Sequence, residues 1–134
     1  MMKLKIKRVY QAADSEDGYR ILIDRLWPRG ISKEKGMVDL WAKEIAPSQE
    51  LRKWYDHVSE RYEAFVDCYE KELNKNERKT DFLNTCIEHL KSENVTLLYA
   101  AKSERENNAI VVQNWIIKCV TCCYDNIHVD KQTV

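Results

Sequence analysis

The sequence predicts an α/β protein in which one small, mostly parallel sheet of about four strands is flanked by helices. Strand-like runs alternate with helix-like stretches along the chain, and that order typically produces parallel strands. Two runs, at residues 19–25 and 95–101, are apolar on both faces near their centres, as strands are inside a covered sheet. A chain of 134 residues can bury one core, so we expect a single domain.

Three strands and one short helix are predicted in the first part of the chain. Residues 3–9 alternate lysines with leucine and isoleucine, the period of a half-exposed strand at or near a sheet edge. A turn-rich connection over 10–18 leads to the strand at 19–25, which we place inside the sheet. Residues 32–35 predict one helical turn. Residues 38–45 fit a short strand or a helix, and we favour the strand.

Two serines mark the starts of the next helices, because a serine oxygen accepts hydrogen bonds from the unpaired amides of a first helical turn. Ser48 is predicted to cap a helix through Tyr55, and Ser59 to cap a second helix. The second helix has a clear amphipathic period. Its apolar face is formed by Tyr62, Phe65, Val66, Tyr69 and Leu73.

A further helix, a strand and a final helix complete the prediction. The helix carries residues 82–90, and Asn94 is expected to close it before the strand at 95–101. The final helix begins near Asn107 and runs into the Cys119 region. We place the α/β domain at residues 1–118, followed by a Cys-containing tail at 119–134 that is able to continue the last helix.

Charge and hydropathy narrow the classes of function. Acidic and basic residues balance at 22 each, which disfavours nonspecific attraction to nucleic acid or to an anionic membrane. No apolar run approaches the roughly 20 residues that span a bilayer, and the N-terminus lacks a secretory signal, so we expect a cytoplasmic protein without a membrane partner. Five cysteines in irregular positions argue against a disulfide framework.

The stretch from Asp24 to Gly30, with the sequence Asp-Arg-Leu-Trp-Pro-Arg-Gly, is the most informative motif. It follows a buried strand, and open α/β sheets bind ligands at the carboxyl ends of their strands. Arg25 and Arg29 offer planar forks of donors for a phosphate or carboxylate, and Trp27 offers a flat wall. In the structural alternative, Asp24 pairs with one arginine, Trp27 is core and the rest is a rigid turn. We favour the ligand site.

Residues from other segments are expected to complete this cleft. Tyr99 and Lys102 end the strand at 95–101, so a parallel arrangement places them on the same rim as Arg29. Asn107 or Asn108 begins the last helix, where free amides favour anions, although Asn107 also suits a helix cap. The predicted ligand-binding residues are Arg25, Trp27, Arg29, Trp41, Arg52, Tyr99, Lys102 and Asn108.

The sequence defines a site more sharply than a reaction. Asp24 or His57 would transfer protons in an enzyme, with the arginines stabilising negative charge, but for His57 we favour a polar position at a helix C-terminus. Cys119, Cys122 and Cys123 contain a C-x-x-C, yet three sulfurs on one helix face also suit packing, and we predict no metal. The chain has no glycine-rich phosphate loop, which disfavours nucleotide cofactors bound by such loops, and the sequence does not identify any other cofactor.

Long motifs in the chain resemble those of the YeaO-like proteins, a bacterial family classed as a domain of unknown function. The resemblance covers about residues 7–112 and rests on residues 17–30, 46–48, 51–54, 97–102 and 107–109. It implies a small bacterial α/β protein and supplies no activity. Cys68 and Ser103 depart from the family pattern, which has an arginine and an acid at these positions, so affinity or specificity can differ here.

Two hypotheses of function follow. The leading one is binding of a small anionic or nucleotide-like ligand at an arginine- and tryptophan-lined cleft, with or without catalysis. The alternative is a noncatalytic regulatory or interaction module whose arginines dock on an acidic partner surface. Nucleic acid is a weaker third choice, because the net charge is neutral. The sequence does not indicate an oligomeric state.

Overall fold

Four parallel strands form one sheet in the structure, a computed structural model that describes residues 2–127. The strands are β1 (Leu4–Arg8), β2 (Tyr19–Leu22), β3 (Leu40–Trp41) and β4 (Val95–Tyr99), in the order β1-β4-β2-β3. Every strand pair is parallel. The α/β fold class predicted from the sequence is confirmed.

β4 is the centre of the sheet. It pairs with β1 on one side and with β2 on the other, and each of its residues is buried. The register places Leu97 beside Ile6 and Ile21, so these apolar side chains lie on the same face. Burial on both faces explains the continuous apolar run of β4, and the edge position of β1 explains its alternating lysines.

Helices cover one face of the sheet. They are α1 (Lys33–Gly36), α2 (Gln49–Tyr55), α3 (Tyr62–Lys75), α4 (Lys79–Leu90) and α5 (Asn108–Ile127), with 3-10 turns at Ser15–Asp17, Lys43–Ile45 and Ser59–Arg61. α2 to α5 pack on this face and form the main core, in which Tyr69 and Trp115 are the largest fully buried side chains. Within residues 2–127, no helix combines the length and apolar character needed to cross a membrane.

Loops and the short α1 cover the opposite face. A smaller core forms there around Val9, Leu22 and Leu98, and Trp27 and Trp41 pack against it. The indole Nε1 of Trp27 donates to the Ile31 carbonyl at 2.6 Å, which fixes the loop that follows β2. Two tryptophans thus replace a helix layer on this side of the sheet.

A buried ionic cluster anchors the connection between β1 and β2 on the loop-covered face. The Asp17 carboxylate, which is 1% exposed, accepts hydrogen bonds from Lys7 Nζ and Arg20 Nη1. The Asp17 carbonyl accepts a 2.7 Å hydrogen bond from Thr96 Oγ1 of β4. Burial alone would raise the pKa of the Asp17 carboxyl, but the bonds from Lys7, the Asp14 amide and Arg20 lower it below its usual value.

The chain passes from β1 to β2 and on to β3 across the loop-covered face, then returns to β4 through α2, α3 and α4 on the helix-covered face. The exits from β2 and β4, which are neighbours, therefore lead to opposite faces. Open α/β sheets bind ligands at such a divergence, beside the carboxyl ends of the neighbouring strands.

Both strands predicted around the first motif are shorter than expected. The strand predicted at 19–25 ends at Leu22, because the chain leaves the sheet once the Ile23 amide has donated to the Leu98 carbonyl. In the segment 38–45 only Leu40–Trp41 is strand, and a 3-10 turn follows it. The single helical turn predicted near Ser32 is present as α1.

Two predicted helix boundaries are also wrong. Ser59 does not cap α3, because its Oγ donates to Glu106 and a 3-10 turn precedes the helix. Asn94 does not close α4, which ends at Leu90. Its side chain instead accepts from the Lys3 amide at 2.8 Å and donates to the Glu16 carbonyl at 2.7 Å. Asn94 therefore ties the start of β4 to neighbouring segments.

Candidate ligand-binding site

The Asp24 carboxylate lies between the carboxyl end of β2 and the segment that follows β4. Oδ2 accepts a 2.9 Å hydrogen bond from the Ala100 amide, and Oδ1 accepts a 2.8 Å bond from Asn108 Nδ2 at the start of α5. The Asp24 carbonyl accepts from Trp41 Nε1 at 2.8 Å. One residue thereby joins the ends of β2, β3 and β4 to the last helix.

The electrostatic environment of Asp24 combines burial with nearby donors. Burial raises the pKa of the Asp24 carboxyl above its usual value, while the bonds from Asn108 and Ala100 and the charge of Arg52 oppose this shift. Arg52 is exposed on α2, so its charge acts on Asp24 from the helix layer. The structure therefore brings together three predicted site residues: Asp24, Asn108 and Arg52.

Arg25 extends from the end of β2 toward the helix layer. Its Nη2 donates to the Pro47 carbonyl at 3.2 Å, while its buried Nε–H has no hydrogen-bond partner. Within residues 2–127 no carboxylate forms an ion pair with this guanidinium. A partly buried positive charge with unused donors is thus left at the carboxyl edge of the sheet.

A cavity of about 180 Å³ lies beside Arg25, between the end of β2, the segment that precedes α2, and α3. Its apolar walls include Ile45, Ala46 and Leu73. Its polar lining consists of Arg25, Glu44, Ser48, Tyr69, Glu72 and Asn76. The cavity therefore places one guanidinium and two carboxylates around a small space that opens to solvent.

Glu72 and Tyr69 of α3 are held firmly at the cavity wall. The Glu72 carboxylate accepts from the Ser48 amide at 2.8 Å and from Ser48 Oγ at 2.6 Å. Tyr69 donates its hydroxyl hydrogen to the Ile45 carbonyl at 2.7 Å. Burial raises the pKa of Tyr69 well above its usual value, to which Asp24 and Glu72 contribute, so the phenol stays neutral at physiological pH.

Glu72, Tyr69 and Ser48 line the cavity but were not among the site residues predicted from the sequence. Ser48 was predicted only as the cap of α2, a role that its bond from the Leu51 amide confirms. Tyr69 was predicted on the apolar face of α3. Glu72 lies three residues after Tyr69, and this helical spacing places its carboxylate beside the apolar face of α3. That spacing is the pattern in the sequence from which Glu72 could have been predicted as a cavity residue.

The two tryptophans of the predicted cleft lie on the other face of the sheet. The Trp27 and Trp41 rings meet edge to face with centroids 5.4 Å apart, over the small core. Lys43 Nζ lies 4.8 Å from the centroid of the Trp41 ring. Neither tryptophan lines the cavity beside Arg25.

Arg29 and Lys102 are exposed at the corner where β1 and β4 end. The Arg29 carbonyl accepts from the Tyr10 hydroxyl at 2.9 Å, and the guanidinium carbon of Arg8 lies 4.8 Å from the centroid of the Tyr10 ring. Arg8 Nε donates to the Ala101 carbonyl at 2.9 Å. These contacts gather three cationic residues, which we call the basic corner: Arg8, Arg29 and Lys102. Arg8 was missed as a site residue, although it lies near the end of the strand predicted at 3–9.

Tyr99 and His57 contribute less to the cavity. Tyr99 is buried in the main core, where burial raises the pKa of its phenol. His57 is exposed just beyond α2, with a left-handed φ of 57°, and its ring centroid lies 5.8 Å from that of Tyr55. The left-handed C-cap of α2 is Asp56. His57 therefore lies at the helix terminus, as favoured from the sequence, one residue beyond the C-cap.

No group of three or more metal-binding side chains occurs in the part of the chain that the structure describes. Cys119 packs partly buried against the main core, and Cys68 is exposed on α3. Burial raises the pKa of the Cys86 thiol to about 12. The side chains of Cys122 and Cys123 lie outside the described residues.

Comparison with known proteins places the chain among proteins without an assigned activity. A family model described as "DUF488-N3i: Inactive DUF488-N3 subclade" matches residues 3–126. The uncharacterised protein YeaO of Escherichia coli is 44% identical over 115 residues, which cover 86% of this chain and 97% of YeaO. The uncharacterised proteins Mb3100c of Mycobacterium bovis and Rv3073c of Mycobacterium tuberculosis are each 46% identical over 72 residues, or 54% of this chain and 61% of theirs. No solved structure matches the chain.

Proposed function

This chain belongs to the DUF488-N3i family, the inactive DUF488-N3 subclade, and we propose that it binds a small ligand through an anionic group that pairs with Arg25. The observation that carries this proposal is the buried Arg25 Nε–H, which has no partner and lies in a side chain that lines a cavity. The family description as inactive supports binding without catalysis.

The Arg25 guanidinium favours an anionic group beside it. Removing a charged group from water is costly unless an opposite charge or hydrogen bonds replace the lost hydration. Arg25 has a single hydrogen bond from Nη2, so a ligand carboxylate or phosphate oxygen would supply what the protein does not. A guanidinium is suited to this role because its planar fork binds two anion oxygens at once.

The size of the cavity limits the ligand. An engineered apolar cavity of about 150 Å³ holds benzene, so a volume of about 180 Å³ suits a molecule of roughly six to eight non-hydrogen atoms. A nucleotide is far larger. The proposed ligand is therefore a small anionic metabolite.

Catalysis has less support than binding. Asp24, the residue best placed for proton transfer, already accepts hydrogen bonds on both carboxylate oxygens. His57, the other candidate, does not line the cavity. A general acid or base must reach the proton that it transfers, and neither Asp24 nor His57 lines the cavity.

Calorimetric titration of small molecules that carry a carboxylate or phosphate group tests the proposal. Acetate, propionate, inorganic phosphate, L-alanine and L-serine serve as probes at neutral pH. We expect at least one to bind the unmodified protein, and Arg25→Gln to weaken this binding by about tenfold or more, because a charge-assisted bond is lost. Arg25→Lys should bind with intermediate affinity.

The matched control is Lys53→Gln, which removes an exposed cation from α2 outside the cavity lining. It should bind every probe as the unmodified protein does. Equal affinity of a probe for the unmodified protein and for Arg25→Gln would remove Arg25 from the site and refute the proposal.

A second candidate function is docking of an acidic partner at the basic corner. Arg29 and Lys102 are exposed there and, within residues 2–127, their side chains form no ion pair. The stacked Arg8 and Tyr10 give the corner a fixed base. Complementary charge of this kind steers association with acidic surfaces.

Poly-L-glutamate is a suitable probe of the basic corner. The double variant Arg29→Glu/Lys102→Glu should bind it about tenfold more weakly than the unmodified protein at low salt, and the difference should shrink as salt is added. Lys53→Glu, which changes one charge elsewhere, gives the baseline. A double variant that matches Lys53→Glu would exclude the corner as a docking surface.

A further inference from the structure

We infer that the ligand of the Arg25 cavity is a small zwitterion, an α-amino acid in its simplest form, whose ammonium group is bound by Glu72. This inference rests on the proposed function, because it assigns the second charged group of the same ligand. The anionic end would pair with Arg25 and the cationic end with the acidic side of the cavity.

The charges that line the cavity favour such a ligand. Arg25 is the one cation of the lining, whereas Glu44 and Glu72 are both acids. A simple anion bound at Arg25 would lie close to these carboxylates and be repelled, strongly so in a site partly shielded from water. A zwitterion presents its carboxylate to Arg25 and its ammonium group to the acidic side chains, and so avoids this repulsion.

Glu72 keeps acceptor capacity for an ammonium group. Each of its carboxylate oxygens accepts one hydrogen bond from Ser48, and a carboxylate oxygen has a further lone pair available. The Tyr69 oxygen is a second acceptor, because its hydrogen is committed to the Ile45 carbonyl. An ammonium group offers several donors, which these two fixed acceptors can share.

The charged groups of the cavity are held by adjacent residues of one segment. Arg25 donates to the carbonyl of Pro47, and Glu72 accepts from the amide of the next residue, Ser48. The cation and the acid are therefore anchored to adjacent residues of one segment, yet no ion pair joins them in the structure. An α-amino acid carries its ammonium and carboxylate on a single carbon and can bridge such a pair.

The remaining walls limit the ligand side chain. Ile45, Ala46 and Leu73 present apolar surface to the same space. At about 180 Å³, the cavity leaves room for a group such as methyl or hydroxymethyl once the charged ends are bound. Alanine and serine fit these limits, and large or aromatic amino acids do not.

Calorimetry with matched probes tests the inference. L-Alanine carries both charged groups, propionate lacks the ammonium and ethylamine lacks the carboxylate. We expect the unmodified protein to bind L-alanine about tenfold more tightly than either single-charge probe, because each charged end adds a charge-assisted hydrogen bond. L-Tryptophan should not bind.

Glu72→Gln tests the binding of the ammonium group separately from that of the carboxylate. This variant should bind L-alanine about tenfold more weakly and propionate at least as tightly as before, because the repelling charge is removed. Glu70→Gln is the matched control, since Glu70 lies on the same helix, pairs with Lys118 and does not line this cavity. If Glu72→Gln fails to fold, Glu44→Gln should show the same change of preference to a smaller degree.

The possible failures are distinguishable. If propionate binds as tightly as L-alanine and both are lost in Arg25→Gln, the zwitterion inference is refuted and the proposed function stands. If ethylamine alone binds, or if no probe binds at tens of millimolar, the cavity takes no anion and both are refuted. If L-alanine binding survives in Glu72→Gln and in Glu44→Gln, the ammonium site is wrongly assigned.

Discussion

Asp24 places its own carboxylate beside the ends of neighbouring strands, a position where other α/β proteins bind a ligand. Its bonds from Ala100 and Asn108 join β4 and α5 to the end of β2. The sequence predicted Asp24 and Asn108 as site residues, but it could not indicate that they would bond to each other, since they are far apart in the chain. Their partnership arises from the strand order, which brings β2 next to β4.

Exchange of Asp24 and Asn108 tests this partnership. Asp24→Asn should destabilise the fold by about 1–3 kcal/mol, because one donor of the pair loses its acceptor. Asn108→Asp should cost a similar amount, since it sets two carboxylates face to face. The double variant restores one donor opposite one acceptor, so urea denaturation should give a coupling of about 1–2 kcal/mol. Strictly additive losses would show that the side chains do not pair.

Asp17 is the residue whose ionisation should be most visible in stability. Its folded pKa lies below the usual 3.8, so the unfolded chain takes up the proton first as the pH falls. The stabilisation from this group is present above the unfolded pKa and is lost as the pH falls through the folded one. Asp17→Asn should cost about 3 kcal/mol at neutral pH, because Lys7 and Arg20 lose their counter-charge.

The pH dependence of that variant is the discriminating measurement. Its free energy of unfolding should fall less steeply below about pH 4 than that of the unmodified protein. Urea denaturation between pH 3 and pH 7 measures both curves. Parallel curves would mean that Asp17 does not carry the acid sensitivity.

Helix starts show where local sequence signals succeed and where they fail. Ser48 and Ser59 were both predicted as caps, and only Ser48 accepts a hydrogen bond from the first turn of its helix, from the Leu51 amide at 3.1 Å. Ser59 begins a 3-10 turn, and α3 follows that turn without a side-chain cap. The amphipathic period of α3 was clear in the sequence, but the extra turn before it leaves no distinct pattern.

Alanine substitution of the two serines should separate their roles. Ser48→Ala is expected to destabilise the protein by about 1–2 kcal/mol, because α2 loses its cap and Glu72 loses a donor. Ser59→Ala should change stability by less than about 0.5 kcal/mol, since its partner Glu106 lies at the surface. Thermal and urea unfolding compare the pair. Equal losses would contradict the assignment of Ser48 as the cap.

At the scale of the whole molecule, alternation of strands and helices was enough to predict a parallel sheet. It was not enough to predict that α2 to α5 would all cover one face while loops and two tryptophans cover the other. That division follows from strand order, and order depends on contacts between distant segments. The same division separates residues of the Asp24–Gly30 stretch, because Arg25 extends toward the helices and Trp27 packs under the loops.

The Arg25 guanidinium is the proposed anchor of a small-ligand site. The direct measurement is an NMR titration that follows the Arg25 Nε–Hε resonance, assigned by its absence in Arg25→Gln, as L-alanine and then propionate are added. We expect a saturable shift of this resonance, with no matching change at exposed Arg78. An unchanged Arg25 resonance at tens of millimolar of both probes, or equal shifts at both arginines, would contradict the claim.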